Sequence, residues 1–431
     1  MLKNPLMRIG RPFDEEEEKL IAGGDGEYLF DSNGRKYLDL CGGIWNTPFG
    51  YGNKYIIEKI KKQAEILPFC NLITSAADIQ VSYAERLTRY LGMEKLLFTC
   101  SGSEAVEAAI KAARQYQSIK NSGKRAVAAF NLSYHGTSYG AMSVSGIDLS
   151  ITAPFGPLLD GIEWIQTPQD IYDAVKWNRE IERLFSEKAE NLAGIIIEPV
   201  IASGGVIEVP DETLRYIERL CLENDVMLIY DEVSTGFGRT GVPFVFKDRG
   251  IKPDLVCLSK GMTNGYMPLG ALAFSKRIAG TFIQAHETFE HFSSQSGNLI
   301  STAAADAVLD IMEDYDSYGV ERKGECFRKV LAEELKDTGA DVRGRGLMTG
   351  ISLDQRLSDA AFKSIIDGIE RQGILVYYFN NPGYNRGLSF FPPFTIEEET
   401  LIRAAHAVAK KIKREPEIMA MAHGNKIKRT A

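Results

Sequence analysis

Five short apolar runs constrain this chain more than any other feature: LLFTC (96–100), RAVAAF (125–130), AGIIIEPV (193–200), VMLIYDEV (226–233) and DLVCLSKG (254–261). Each is too short for a helix, lacks clean alternation and is bounded by turn residues. Strands buried on both faces read this way, so the expectation is a mainly parallel sheet between layers of helix. The intervening stretches agree. SEAVEAAIKAARQYQ (103–117) follows the first run, and TLRYIERLCLENDV (213–226) leads into the fourth; both have the helical spacing of crossover helices. Residues 1–25 are loop-like. EYLFDSNG (27–34) and RKYLDLCGG (35–43) flank Ser32-Asn33-Gly34, a hairpin signal, and 56–66 is helical in pattern. After about residue 310 the texture changes. A long amphipathic helix region (about 299–336) leads to VRGRGLMTGISL (342–353), a further helix, GILVYYF (373–379) and GLSFFPPFTI (387–396). The expected division is an N-terminal segment (1–65) packed with a small domain, a large α/β domain (66–310) and a smaller α+β domain (311–431).

Composition narrows the function. The chain has 431 residues, ample for a sizeable core. Its 50 Lys+Arg against 58 Asp+Glu leave a charge of −8, which argues against general nucleic-acid binding. No apolar run approaches the ~18 residues that span a membrane, and the opening MLKNPLMRIGRPF has no apolar h-region, so neither a membrane partner nor secretion is expected. Cys41, Cys70, Cys100, Cys221, Cys257 and Cys326 form no CxxC pair. That pattern suits reduced thiols and a cytoplasmic location, not a disulfide frame or a zinc site. The five histidines show no HExxH spacing, so no metal is expected. Asp14-Glu15-Glu16-Glu17-Glu18 reads as a solvated helix turn. Lys410, Lys411, Lys413 and Arg414, with Lys426, Lys428 and Arg429, read as a helix end and a loose tail.

Four places carry candidate chemistry. Lys260 ends an apolar strand and precedes Gly261. Open α/β sheets bind ligands at the carboxyl ends of their strands, and desolvation there favours the neutral amine that a Schiff-base lysine needs. Taken alone, a lysine starting a loop is usually a surface lysine. Asp231 ends the strand VMLIY, where a buried carboxylate requires a partner; a protonated pyridine nitrogen serves, and so does a local arginine such as Arg239. Ser101-Gly102-Ser103-Glu104 lies between a strand and a helix, which suits an anion site and equally a capping box. Tyr134-His135-Gly136 follows a strand, where an aromatic ring can stack on a planar cofactor or simply join the core.

Together these pieces resemble the class III aminotransferases, pyridoxal 5'-phosphate (PLP) enzymes of fold type I. The resemblance rests on Tyr230-Asp231-Glu232-Val233-Ser234-Thr235-Gly236-Phe237-Gly238-Arg239-Thr240-Gly241, followed by Pro253-Asp254-Leu255 and Ser259-Lys260-Gly261. Ser101 to Ala105, Tyr134-His135-Gly136, Glu198-Pro199-Val200 and Ser296-Gly297-Asn298 match further landmarks in order, and the likeness spans roughly residues 25–405. It implies an α/β large domain with a mainly parallel seven-stranded sheet, a smaller α+β domain, and residue roles. Lys260 resembles the lysine that holds the cofactor as a Schiff base and moves the proton. Asp231 resembles the pyridinium partner. Ser101, Gly102 and Ser103 resemble the phosphate cup. Tyr134 and Val233 match the residues on the two ring faces, His135 the cofactor-side histidine, and Glu198 a glutamate near the ring. Ser294 stands where family members place a threonine that reaches a neighbour's phosphate, which implies a homodimer with shared active sites.

Two departures concern the substrate. Members that use glutamate or 4-aminobutyrate often carry a glutamate five residues after Glu198; here that residue is Ser203. Gly42-Gly43-Ile44-Trp45-Asn46 is closer to the ω-amine branch, with Trp45 as an aromatic pocket wall. That branch's mobile arginine belongs near Tyr377-Tyr378-Phe379, where none stands, and Arg386 is the nearest candidate to bind the substrate carboxylate.

The implied reaction is ping-pong transfer from a primary amine (ω-amine, amino acid or amino sugar) to an oxo acid. An epimerase, racemase or aminomutase on the same scaffold is the alternative. A PLP decarboxylase and a non-catalytic binding protein follow; the latter is disfavoured because both Lys260 and Asp231 are kept. Gly344-Arg345-Gly346-Leu347-Met348-Thr349-Gly350 imitates a dinucleotide fingerprint, but it runs into a strand-like segment rather than a helix.

Overall fold

The computed structural model describes residues 19–147, 149–418 and 420. The acidic run 14–18 and Lys426, Lys428 and Arg429 lie outside these. A seven-stranded sheet dominates, in the spatial order Lys95–Thr99, Gly270–Phe274, Leu255–Leu258, Met227–Asp231, Leu192–Ile197, Ala126–Phe130 and Ile162–Ile165. Every neighbour pair is parallel except the two made by Gly270–Phe274, which runs against both its partners.

Burial on both faces explains why four of the five runs read as continuous apolar stretches; Lys95–Thr99, at the sheet's edge, is only partly buried. Ile195, Ile197, Leu228 and Tyr230 enter one core, while Ile196, Met227 and Ile229 enter the other. Gly102–Ile119 covers the second face with Ala105, Ala108, Ala109, Ala112 and Ala113, small residues that let the helix approach the strands.

Two strands of this sheet escape the sequence pattern. Gly270–Phe274 is GALAF, mostly small residues without β-branching, and Ile162–Ile165 is a four-residue edge strand. Ile21–Asp25, read as loop, pairs antiparallel with Tyr28–Asp31. The Ser32–Gly34 hairpin forms as expected: Asp31 Oδ1 accepts from the backbone N–H of Asn33 and Arg35, both at 2.9 Å, and Gly34 takes φ +79°. The strand Lys36–Asp39 then pairs in parallel with Ile374–Leu375, joining an early segment of the chain to a late one.

The helix expected over 299–336 is two helices, Leu299–Met312 and Val320–Leu335. The break follows from Tyr315, which is buried with its hydroxyl donating to Gly238 O at 2.5 Å, and from Gly319 at φ +56°. A second sheet, fully antiparallel, orders Asp341–Arg345, Met348–Leu353, Asn385–Phe390 and Tyr377–Asn381. Gly344 to Gly350 lies in its first hairpin, with no helix to open. No helix among the described residues is long and apolar enough to cross a membrane.

Candidate active site

Lys260 leaves the end of Leu255–Leu258 with φ +46°, a left-handed backbone that a lysine seldom adopts. Its Nζ donates to Ser234 Oγ at 2.6 Å and lies 4.3 Å from the centre of the Trp45 ring. Burial pushes the amine down to about 8, against the fields of Asp231 and Glu198, which favour its charged form.

Asp231 closes the neighbouring strand. Its Oδ2 meets His135 Nδ1 at 2.7 Å, and its Oδ1 accepts from Val233 N at 3.0 Å. His135 is fixed in turn by Ser145 Oγ, which accepts from its backbone N–H at 2.8 Å, while its buried Nε2 finds no partner among the described residues. The pair therefore stands oriented, with an acceptor-rich carboxylate at the carboxyl end of the sheet's central strand.

Glu198 is buried, and that burial pushes its carboxyl up to about 7. One oxygen accepts from Tyr134 N at 2.9 Å, the other from Ala202 N at 3.2 Å. It thus ties the Tyr134 segment to the turn that carries Ser203. The small sheet grips the same turn: Arg343 donates to Gly205 O and Val206 O, and Asn381 and Asn385 donate to Gly204 O.

At the start of Gly102–Ile119, Ser101 Oγ caps Glu104 N at 3.2 Å, while the Glu104 carboxylate accepts from Cys100 N at 2.7 Å rather than from Ser101 N, so the Ser101 half of the capping box forms and the reciprocal half shifts by one residue. Ser103 Oγ accepts from Thr137 N at 3.1 Å. A Cβ on Gly102 would come within 2.9 Å of Val233, and one on Gly136 within 2.3 Å of Ser103 Oγ. The helix N-terminus, the Val233 side chain and the Tyr134–Gly136 segment therefore converge with only glycine-sized clearance. Glu104 also receives the hydroxyl of Ser293, while the next residue, Ser294, is exposed.

Trp45 follows three further residues with positive φ, Gly42, Gly43 and Ile44. Asp39 holds this left-handed turn by accepting from Cys41 N, Gly43 N and Tyr51 Oη at 2.8, 2.8 and 2.6 Å. The indole packs on Phe391 (centroids 4.4 Å apart) and edge-on to Tyr377 (5.6 Å).

Arg386 is the exception. Successive residues of a strand face opposite sides. Tyr377, Phe379 and Asn381 face Trp45, Arg343 and the 202–206 turn. Tyr378 and Asn380 face the helix Asp359–Glu370, and Arg386 lies opposite Asn380. Its guanidinium is taken up by Leu357 O, Asp359, Asn380 Oδ1 and the Phe362 ring. The expectation that Arg386 lines the pocket is corrected by this register: the side chain leaves the sheet on the face away from Trp45. Sequence reasoning also missed Ser234. It stood inside the quoted signature, but nothing in its type marked it as the partner of the lysine amine.

Residues 14–412 match the family model for class-III aminotransferases. The chain belongs to the class III aminotransferase family. The uncharacterized aminotransferase YhxA of Bacillus subtilis is 34% identical over 411 residues, covering 90% of each chain. The acetylornithine aminotransferase of Caldanaerobacter subterraneus is 34% identical over 391 residues, covering 89% of this chain and 92% of the relative. Among solved structures, a PLP-bound amine transaminase from an uncultivated Pseudomonas species aligns with a TM-score of 0.83 at 30% identity, over 95% of this chain and all of the other. All three carry the name aminotransferase or transaminase. The class III aminotransferase described here is accordingly a PLP-dependent enzyme of fold type I that carries out amino transfer. Its residues fit that cofactor. A buried amine, a buried carboxylate oriented by an imidazole and a helix N-terminus of glycine clearance suit, in turn, a carbonyl, the N–H of a pyridinium and a phosphate.

Proposed function

We propose that this aminotransferase moves the amino group of a primary amine remote from any carboxylate to a small oxo acid, in two half-reactions centred on Lys260. The observation that carries the reading is the buried Lys260 amine, pushed down to about 8, at a strand end beside the Asp231–His135 pair.

Bound PLP supplies the carbonyl carbon that carries the amine and a cationic ring that accepts the electron pair left when the donor carbon loses its proton. Lys260 Nζ holds the cofactor and then, as the free amine, moves that proton. Asp231 keeps the ring nitrogen protonated, and His135 orients Asp231 through Nδ1. Gly102 and Ser103, with Ser101 as cap, hold the phosphate at the helix N-terminus. Tyr134 and Val233 would cover the two ring faces, and Glu198 fixes the Tyr134 segment by accepting from its backbone N–H. Trp45 walls the donor side and excludes water.

Two features support the donor class. Ser203 stands in the gripped turn where a gate glutamate would pair with a clamp arginine, and Arg386 points elsewhere. The wall that does face Lys260 is aromatic. A panel of amines, amino acids and amino sugars against pyruvate and 2-oxoglutarate tests this. Activity confined to 2-amino acids would overturn it.

The reading includes a homodimer with shared sites. Exposed Ser294, together with exposed Leu67, Phe69, Leu72 and Ile73, supports a second copy. Sedimentation that shows a monomer at assay concentration would remove this part. The six cysteines, all free thiols, support a cytoplasmic location.

A further inference from the structure

The left-handed turn that carries Trp45 is an expensive piece of backbone. Ile44 and Trp45 both take positive φ (55° and 66°), a conformation that residues with a Cβ seldom adopt. Asn46 Nδ2 donates to Gly43 O and Ile44 O, both at 2.9 Å, and Asp39 holds the turn from below. What this strain achieves is one placement: the indole face lies 4.3 Å from Lys260 Nζ. Ser234, buried in the turn after Asp231, puts its Oγ 2.6 Å from the same nitrogen. Lys260 is itself left-handed. Three separately constrained segments thus converge on one amine.

We propose that Ser234 Oγ and the Trp45 face form the holding site for the Lys260 amine whenever it is free, with Ser234 as the positioning residue that keeps Nζ in line for proton transfer. The proposal rests on the reading of Lys260 as the cofactor lysine. During the donor half-reaction the free neutral amine takes a proton from the donor carbon and becomes an ammonium; the electron pair of the broken C–H bond stays behind, where the bound cofactor's cationic ring would accept it. An ammonium buried at this point needs compensation. Ser234 Oγ accepts one of its N–H bonds, and the indole face attracts the charge. Asp231 and Glu198, the charged groups whose fields reach Nζ, supply the rest. Without the hydroxyl, the amine keeps its chain length but loses its direction, and its ammonium form becomes harder to make.

The test uses the holoenzyme after loading with a good amine donor, which leaves Lys260 free. The pH dependence of Lys260 labelling by cyanate, read by peptide mass spectrometry, gives the amine's titration midpoint without turnover. Ser234→Ala should shift that midpoint to lower pH and slow single-turnover conversion about tenfold, with the donor KM changed less than twofold. Ser234→Thr should restore both values, and Trp45→Phe should shift the midpoint in the same direction by less. An unchanged midpoint and rate in Ser234→Ala would overturn the proposal, as would a defect that Ser234→Thr does not relieve. Borohydride reduction of each resting variant separates the two layers. If the cofactor is fixed to Lys260 and Ser234→Ala behaves as the parent, the holding site alone is wrong. If the cofactor is fixed to another lysine, the reading beneath it is wrong.

Discussion

The carboxyl ends of the large sheet and the interior of the small sheet both contribute to the surroundings of Trp45 and Lys260, but they do so under different rules. On the large sheet, Asp231 and Lys260 stand at the ends of adjacent parallel strands, and Tyr230 lies in register with Val256. A residue at such an end leaves the sheet toward the ligand crevice whichever face its predecessors occupy. On the small sheet, position along the strand decides everything. Tyr377 meets Trp45, while Tyr378, one residue on, meets Phe362 on the other side. A strand end tolerates an uncertain register; a strand interior does not.

The floor of the site, Asp231 and Lys260 at the strand ends of the large sheet, should therefore fail steeply, and its wall, Trp45 and the small sheet behind it, by degrees. Lys260→Ala should abolish turnover and remove the visible imine band of the purified protein. A variant that keeps both would break the floor's half of the comparison. Asp231→Asn should keep the fold and slow single-turnover conversion by about 10²–10⁴-fold, the range expected for a positioned polar group in proton transfer. An unchanged rate would mean that another group holds the ring nitrogen.

The wall offers a paired test. Trp45→Phe should alter donor KM by roughly three- to tenfold. Arg386→Ala should leave the ratio of oxo-acid to amine KM unchanged and destabilise the fold by about 1–3 kcal/mol through lost hydrogen bonds and packing on Phe362. Its ion pair adds little, because the Asp359 side chain is 92% exposed. A selective rise in oxo-acid KM would show that Arg386 reaches the pocket and that the two faces are not separate.

The smallest expected effect concerns the floor's burial. Glu232 accepts from Thr235 Oγ1 and Phe246 N, yet burial pushes it up to about 7 from an ordinary value near 4.5. A carboxyl raised on folding contributes stability that is present below its unfolded value and lost as pH rises through the folded one. The melting temperature should therefore fall between about pH 4.5 and 7 by more in the parent than in Glu232→Gln. Equal slopes would show that Glu232 ionises freely.

This division also explains what was legible in the sequence. The doubly buried strands and the hairpin at Ser32–Gly34 depend on local composition, visible in one dimension, whereas Ser101, Tyr134, Asp231 and Lys260 were each ambiguous alone and were grouped only by the family resemblance. Gly270–Phe274 was not legible because small residues carry no strand preference. The helix break at Tyr315 depends on a tertiary hydrogen bond to Gly238. Arg386 was misplaced because the turn joining Tyr377–Asn381 to Asn385–Phe390 sets a pairing that composition does not encode. Ser234 was overlooked because a hydroxyl acquires its role only when a lysine from another strand arrives beside it.

The central claim is that the amine at the end of Leu255–Leu258 is the one that carries the cofactor. Reducing the holoenzyme with borohydride, digesting it and sequencing the phosphopyridoxyl peptide tests this directly. The account predicts a single modified peptide containing Ser259-Lys260-Gly261, with the added mass on Lys260. The same mass on any other lysine of the chain would contradict it.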